Sequence, residues 1–209
     1  MSDFILTSNE IELLKKTFAG FSEGNENGLD ESETELILQM RSVNDYLKEK
    51  YGERNFSITI AQPENALNAV ANFFFMEEGD TEVYKAQIRH EGENNIISDN
   101  YYAHLLKPAY NDWLNKLFAD TLHSDTAIQS KSAFALLNSE LTGTEPAEEI
   151  AKLGNVIGAM TNIRVSESDK VSELLKAIQK IIVDNKIYGF YTVSVNGKIV
   201  DSFNMNGIK

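Results

Sequence analysis

Cysteine is absent from the 209 residues, and proline (three), tryptophan (one) and arginine (four) are scarce. Without cysteine there is no disulfide, no thiolate nucleophile, no cysteine-ligated zinc or iron–sulfur site and no cysteine-linked lipid anchor. Cations are outnumbered: 19 Lys and Arg face 32 Asp and Glu, a net charge of −13. Nucleic-acid binding needs cationic groups to displace counterions, so it is not expected here, and anionic membranes are disfavoured for the same reason. No run approaches the roughly 18 apolar residues of a membrane span. Met1–Glu10 has no basic segment leading into an apolar one, as a signal peptide would. If the chain is complete as given, a cytoplasmic location is expected; if a signal segment has been removed, an extracytoplasmic one.

What is present is the composition of a folded domain, 42 % apolar and 24 % charged, in a chain long enough for one large or two small domains. Thr7 and Glu10 form a capping box, after which Ile11, Leu14, Phe18 and Phe21 recur at helical spacing. Ser32 and Glu35 suggest a second box, followed by Leu36, Met40, Val43 and Leu47, in a helix that should stop before Gly52. The period then changes to two: Phe56, Ile58 and Ile60 alternate with polar residues, and the apolar run 69–76, the turn Glu78-Gly79-Asp80 and Tyr84, Ala86 and Ile88 predict a hairpin.

A third helix is expected from Pro108, with Tyr110, Trp113, Leu114, Leu117 and Phe118 on one face. The polar stretch Thr121–Thr126 is the expected junction. Beyond it the pattern predicts strands near 128–137 and 156–165, a short helix near 146–153 and a long one near 168–185. A closing hairpin turns on Asn196-Gly197, the dipeptide that best tolerates the positive φ angles of a type I′ turn. The expected fold is therefore α+β: an N-terminal helical pair plus two helix-on-antiparallel-sheet units, divided as residues 1–121 and 122–209. The two halves echo each other faintly, each with a Tyr-Gly pair between helix and strand (Tyr51-Gly52 and Tyr188-Gly189).

Candidate chemistry begins with the acidic stretch Ser22–Glu35, which holds Glu23, Glu26, Asp30 and Glu31 and no basic residue. Helix, acidic loop and helix is the order of an EF-hand, so calcium is the cation to test. Starting the loop at Ser22 places Asn27 where glycine is required; starting it at Glu23 places Thr34 where a bidentate glutamate is required. Neither register fits, and the run reads as helix-capping, solvated charge. No cofactor is expected. The three histidines, His90, His104 and His123, lack zinc-helix spacing; His90, Glu91, Glu93, Asp99 and His104 converge only if the chain between them folds back. No G-x-S-x-G elbow, Walker or dinucleotide motif is present.

The segment Ile97-Ser98-Asp99-Asn100-Tyr101, an extended strand ending in Asp-Asn-Tyr ahead of a lysine-containing helix, follows an amphipathic helix and Lys50-Tyr51-Gly52-Glu53. Over about Glu33–Phe118 this order resembles a loose class of small uncharacterised proteins of Gram-positive bacteria, many extracytoplasmic and some cystatin-like in shape. The resemblance implies binding more than catalysis and transfers no catalytic residue; it adds Asp99, Asn100 and Tyr101 to the candidate binding residues. The expectation is a non-enzymatic, acidic protein-binding module, its sharpest version an immunity or inhibitor protein that captures a basic partner. The charge favours it, since Met1–Glu35 alone carries nine acidic residues and two lysines. The alternatives are a hydrolase using carboxylates with His90 or His104, and a calcium-linked module.

Overall fold

In the computed structural model the described residues are 5–22, 28–65, 67, 69–91, 94–122, 127–166 and 170–206. The fold is α+β, and the chain forms two compact units, Met1–Asp99 and Asn100–Lys209. The boundary falls ahead of the third helix, which belongs to the second unit. The polar stretch at 121–126 begins with the last two residues of that helix, and its residues 123–126 lie outside the described ones.

The first unit runs α1 (Ser8–Thr17), α2 (Glu31–Tyr51), β1 (Phe56–Gln62), β2 (Val70–Glu77), β3 (Tyr84–Glu91) and β4 (Asn94–Asp99). The strands form one antiparallel meander in the order β1-β2-β3-β4. Thr7 caps α1 as expected, with Glu10 reaching back to the Thr7 amide at 2.7 Å. The cap of α2 lies two residues earlier than expected: Asp30 accepts from the Glu33 amide at 2.8 Å, and Glu33 accepts from the Asp30 amide at 2.9 Å. Both pairs fit the capping pattern, but an aspartate at the first position adds a favourable charge at the helix N-terminus. Leu36, Ile37, Met40, Val43 and Leu47 then bury one side of α2, and Gly52 ends it at φ +70°.

One expected inward residue faces out. The β1–β2 register slips between Ile58 and Ile60, so Ile58 and Ala61 are buried while Ile60 is 50 % exposed. A β-bulge inserts one residue and turns the alternation over, which no pattern of period two anticipates.

The second unit runs α3 (Tyr101–Leu122), β5 (Ile128–Phe134), α4 (Ala147–Lys152), β6 (Ala159–Val165), α5 (Val171–Asp184), β7 (Gly189–Val195) and β8 (Lys198–Met205), with strand order β5-β6-β7-β8. It is not wholly antiparallel: β6 and β7 pair in parallel, with α5 as the crossover that a parallel step requires. Pro108 does not open α3 but sits inside it. Two turns precede it because Tyr101, Tyr102 and Leu106 are buried along with Tyr110, Leu114 and Phe118; their packing outweighs the roughly 3 kcal/mol cost of an interior proline. Trp113 and Leu117, expected inside, are only partly buried at the margin of this core.

The edge strand β5 is covered rather than bare. Asn115 Oδ1 accepts from the Ser130 amide at 2.6 Å and Asn111 Oδ1 from the Ser132 amide at 2.8 Å. Two side chains of α3 thus occupy backbone donors that a foreign strand would otherwise pair with. At the far end of the sheet, Asn196 (φ +49°) and Gly197 (φ +75°) make the expected tight turn.

The two Tyr-Gly pairs do different work. Gly52 ends the helix at a positive φ in open space, whereas Gly189 lets the start of β7 approach Ala159. Closer still, a Cβ on Gly154 would sit 1.8 Å from the Tyr188 carbonyl oxygen. Gly154→Ala is therefore expected to destabilise the chain by about 3 kcal/mol or more, since backbone must move. Gly79→Ala, at φ +85° with nothing within 4 Å, is expected to cost about 1–2 kcal/mol of conformational strain. Urea denaturation of the two variants checks the order; equal losses would contradict it.

Candidate functional site

Asp99, the aspartate of the Asp-Asn-Tyr segment, ends β4 on the helix-covered side of the first sheet and is completely buried. Its carboxylate meets three side chains of α2. Lys50 Nζ lies 2.6 Å from Oδ2, the Tyr46 hydroxyl donates to the same oxygen at 2.7 Å, and the Tyr51 hydroxyl donates to Oδ1 at 2.7 Å. The Lys50 side chain is only 7 % exposed and its ammonium also lies over both rings, 5.0 Å from the centre of Tyr46 and 5.3 Å from that of Tyr51. Burial, with the Asp99 charge and hydrogen bond added, pushes the Tyr46 phenol far above the usual tyrosine range, so it remains a donor. The Lys-Tyr-Gly-Glu and Asp-Asn-Tyr segments thus meet in space, although 49 residues separate Lys50 from Asp99.

This geometry suits anchoring better than turnover. The carboxylate accepts from Tyr46, Lys50 and Tyr51 and is sealed from solvent. The rings continue from the anchor into the core: Tyr51 meets Phe56 edge-on, and Phe56 meets the buried Phe75 at 5.4 Å and 90°. Asn100 and Tyr101 follow directly; the Asn100 carbonyl accepts from the Ala103 amide in the first turn of α3, and Tyr101 is buried with its ring stacked on His104 at 5.7 Å. Tyr46 is the member that sequence reasoning missed; Lys50 and Tyr51 stood out in the Lys-Tyr-Gly-Glu segment but were not joined to Asp99, though the i, i+4 spacing of Tyr46 and Lys50 places both on one helical face.

The acidic stretch is only partly described: Glu23 and Glu26 lie outside the described residues, while Asp30 is spent on capping and Glu31 is exposed in the first turn of α2. The structure extends the acidic surface along α2 instead. Glu31, Glu35, Asp45 and Glu49, with Leu38 and Ser42 between them, are exposed at alternating spacings of four and three residues, which is one face of a helix. No ion pair neutralises these four carboxylates among the described residues. Charge is also divided unequally between the units: residues 1–99 hold 20 acidic and 8 basic residues, net −12, whereas 100–209 hold 12 and 11, net −1.

The helix carrying this stripe is tied to α1 as well. Arg41 Nε and Nη2 donate to Glu10 at 2.6 and 3.2 Å, and Arg41 Nη2 also donates to the Ile5 carbonyl. Burial works against the Glu10 charge, but the hydrogen bonds from Arg41 and Thr7 hold its carboxyl below the usual glutamate range.

Two of the three histidines, His90 and His104, are among the described residues and fall in different units. His90 is exposed, 2.6 Å from Asn95 Oδ1 and 3.5 Å from Glu64; His104 belongs to the second unit; His123 and Glu93 lie outside the described residues. Among the described residues, no group of three or more His, Asp or Glu is placed to hold a metal ion, and no helix is long and apolar enough to cross a membrane.

A second surface lies in the second unit. The helices cover one face of its sheet, and the outward residues of the other face form rows by strand pairing. Ala133, Met160, Phe190 and Asn204 make one row; Lys131, Asn162, Thr192 and Ser202 the next; Gln129, Arg164, Ser194 and the exposed Ile199 a third. At the first row a groove of about 810 Å³ crosses the end of the sheet, bounded by Leu136 and by Asn155 of the 153–158 turn.

Two stability tests follow. Asp99→Ala is expected to cost about 3–5 kcal/mol, because it leaves the Lys50 ammonium buried without its counter-charge. Tyr51→Phe, which removes one charge-assisted bond, is expected to cost about 1.5–3 kcal/mol. Urea unfolding checks both, and an Asp99→Ala variant no weaker than Tyr51→Phe would contradict the anchor. Because the Glu10 carboxyl is depressed on folding, its contribution is complete above the ordinary glutamate range and is lost as pH falls through the lowered folded value. Thermal melts from neutral to acid pH should accordingly show a shallower acid limb for Glu10→Gln. Compared with family models, curated proteins and solved structures, the chain matches none.

Proposed function

We propose that the chain is a non-enzymatic binding protein of the immunity or inhibitor kind, whose first unit captures a basic partner protein along α2. The observation that carries this reading is the exposed acidic stripe Glu31–Glu35–Asp45–Glu49, set in a unit of net charge −12. Its ends are 18 residues apart, about 27 Å of helix at 1.5 Å per residue, which is the scale of one protein contact.

Two features separate the stripe from charge that merely keeps a protein soluble. Leu38, 46 % exposed, lies between its charged ends, giving an apolar centre with a charged rim. The helix is also held at two places, by Asp99 at its C-terminal end and by Glu10 through Arg41. A fixed charge pattern loses little conformational entropy on binding. The field of such a surface speeds encounter with a cationic partner and is screened beyond about 8–10 Å at physiological ionic strength.

The test is capture of partners from the native host at low and high salt, with wild-type chain and with the variant carrying Glu31→Gln, Glu35→Gln, Asp45→Asn and Glu49→Gln. A basic protein held at low salt, released at high salt and lost with the variant is expected. A partner held equally by the neutralised variant would overturn the reading. So would hydrolytic activity that disappears with His90→Ala or His104→Ala.

A further inference from the structure

We propose that the uncovered face of the second sheet docks an extended segment of another protein, one that carries a large apolar side chain with carboxylates two and four residues away. This site is independent of the acidic stripe, which lies on the other unit and attracts the opposite charge.

The apolar anchor point is the groove at the end of the sheet. Met160 and Phe190 are each 44 % exposed there beside Leu136, which is 49 % exposed. An exposed cluster of Met, Phe and Leu in a soluble unit has the composition of a protein contact. The groove is also built into the fold. Gly154 and Gly189 line it, and both are required by backbone approaches that a Cβ would block. Part of the groove wall is therefore bare backbone, held by the parallel pairing of β6 and β7.

The charge pattern selects the occupant. Among the described residues Lys131 and Arg164 are the charged ones on this face and it bears no carboxylate, in a chain where acidic residues outnumber basic ones by 13. Among the described residues neither cation has an ion-pair partner. Lys131 lies one row from the Met160 row and Arg164 two rows, at two residues of strand per row. At about 3.3 Å per residue these are about 7 and 13 Å from the anchor, the reach of the second and fourth neighbours in an extended peptide. The Asn162, Thr192 and Ser202 side chains between them supply amide and hydroxyl groups for its backbone. A second copy of the chain is disfavoured as occupant because it would bring two bodies of charge −13 together.

The test uses the full chain and a labelled octapeptide of Ser and Thr with one Phe and with Glu two and four residues from it. Its partners are the same peptide with Lys in place of Glu, and the same peptide with Ala in place of Phe. Fluorescence anisotropy should show binding of the Phe–Glu peptide, weakened about two- to fivefold by each of Lys131→Gln and Arg164→Gln. Amide shifts on titration should centre on Met160, Asn162, Arg164 and Phe190. The double variant Lys131→Glu, Arg164→Glu should prefer the Lys peptide, a reversal that loss of folding would not produce. Equal binding of the Lys and Glu peptides by wild type would overturn the proposal, as would no binding of the Phe–Glu peptide. Sedimentation showing a dimer lost with Phe190→Ser would assign the face to self-association and overturn it as well.

Discussion

A carboxylate shut off from water must be matched by donors, and Asp99 meets that condition by drawing Tyr46, Lys50 and Tyr51 of α2 onto the last strand of the first sheet. Three residues within two turns of helix are thereby fixed against a strand some fifty residues later, and the axial position of α2 on the sheet is set. The apolar seam of Leu36, Met40, Val43 and Leu47 supplies most of the burial, but such a seam tolerates sliding and rotation more readily than a set of bonds with defined lengths does. Arg41 adds a second fixed point through Glu10, so the two helices and the sheet are registered by polar contacts and filled in by apolar ones.

The outer faces follow from that arrangement. With its inner side committed, α2 turns Glu31, Glu35, Asp45 and Glu49 toward solvent, and the first unit carries −12 of the total charge. The second unit is almost neutral. Its helices cover one side of the sheet only, which leaves rows of amides, hydroxyls and two cations ending in an apolar groove. Two units of one architectural class thus present surfaces of different chemistry.

The elements legible in sequence were those fixed by local rules. Thr7 with Glu10, the stop at Gly52, the Asn196-Gly197 turn and the period-two strands needed only neighbours along the chain. What was not legible depended on distant ones. Ile60 faces out because β2 imposes a bulge on β1, and Pro108 is carried inside α3 because the turns before it are buried. The parallel pairing of β6 and β7 is a property of the sheet, not of either strand. The Asp99 cluster was half visible: both segments stood out as motifs, but nothing local joins residues 49 positions apart. The acidic loop drew attention for its density, whereas the exposed stripe on α2 emerged only when burial separated its carboxylates from capping Asp30 and Glu33.

Native-state hydrogen exchange on Asp99→Asn tests most directly whether the buried carboxylate positions α2. This near-isosteric change removes the negative charge of the ion pair while leaving volume almost unchanged. Amides in the C-terminal half of α2 and in β4 are expected to lose protection together, and more than those around Leu13 and Leu14 in α1. Protection of α2 that stays at the wild-type level, with any loss confined to the end of β4, would show that apolar packing alone holds the helix and would contradict the account.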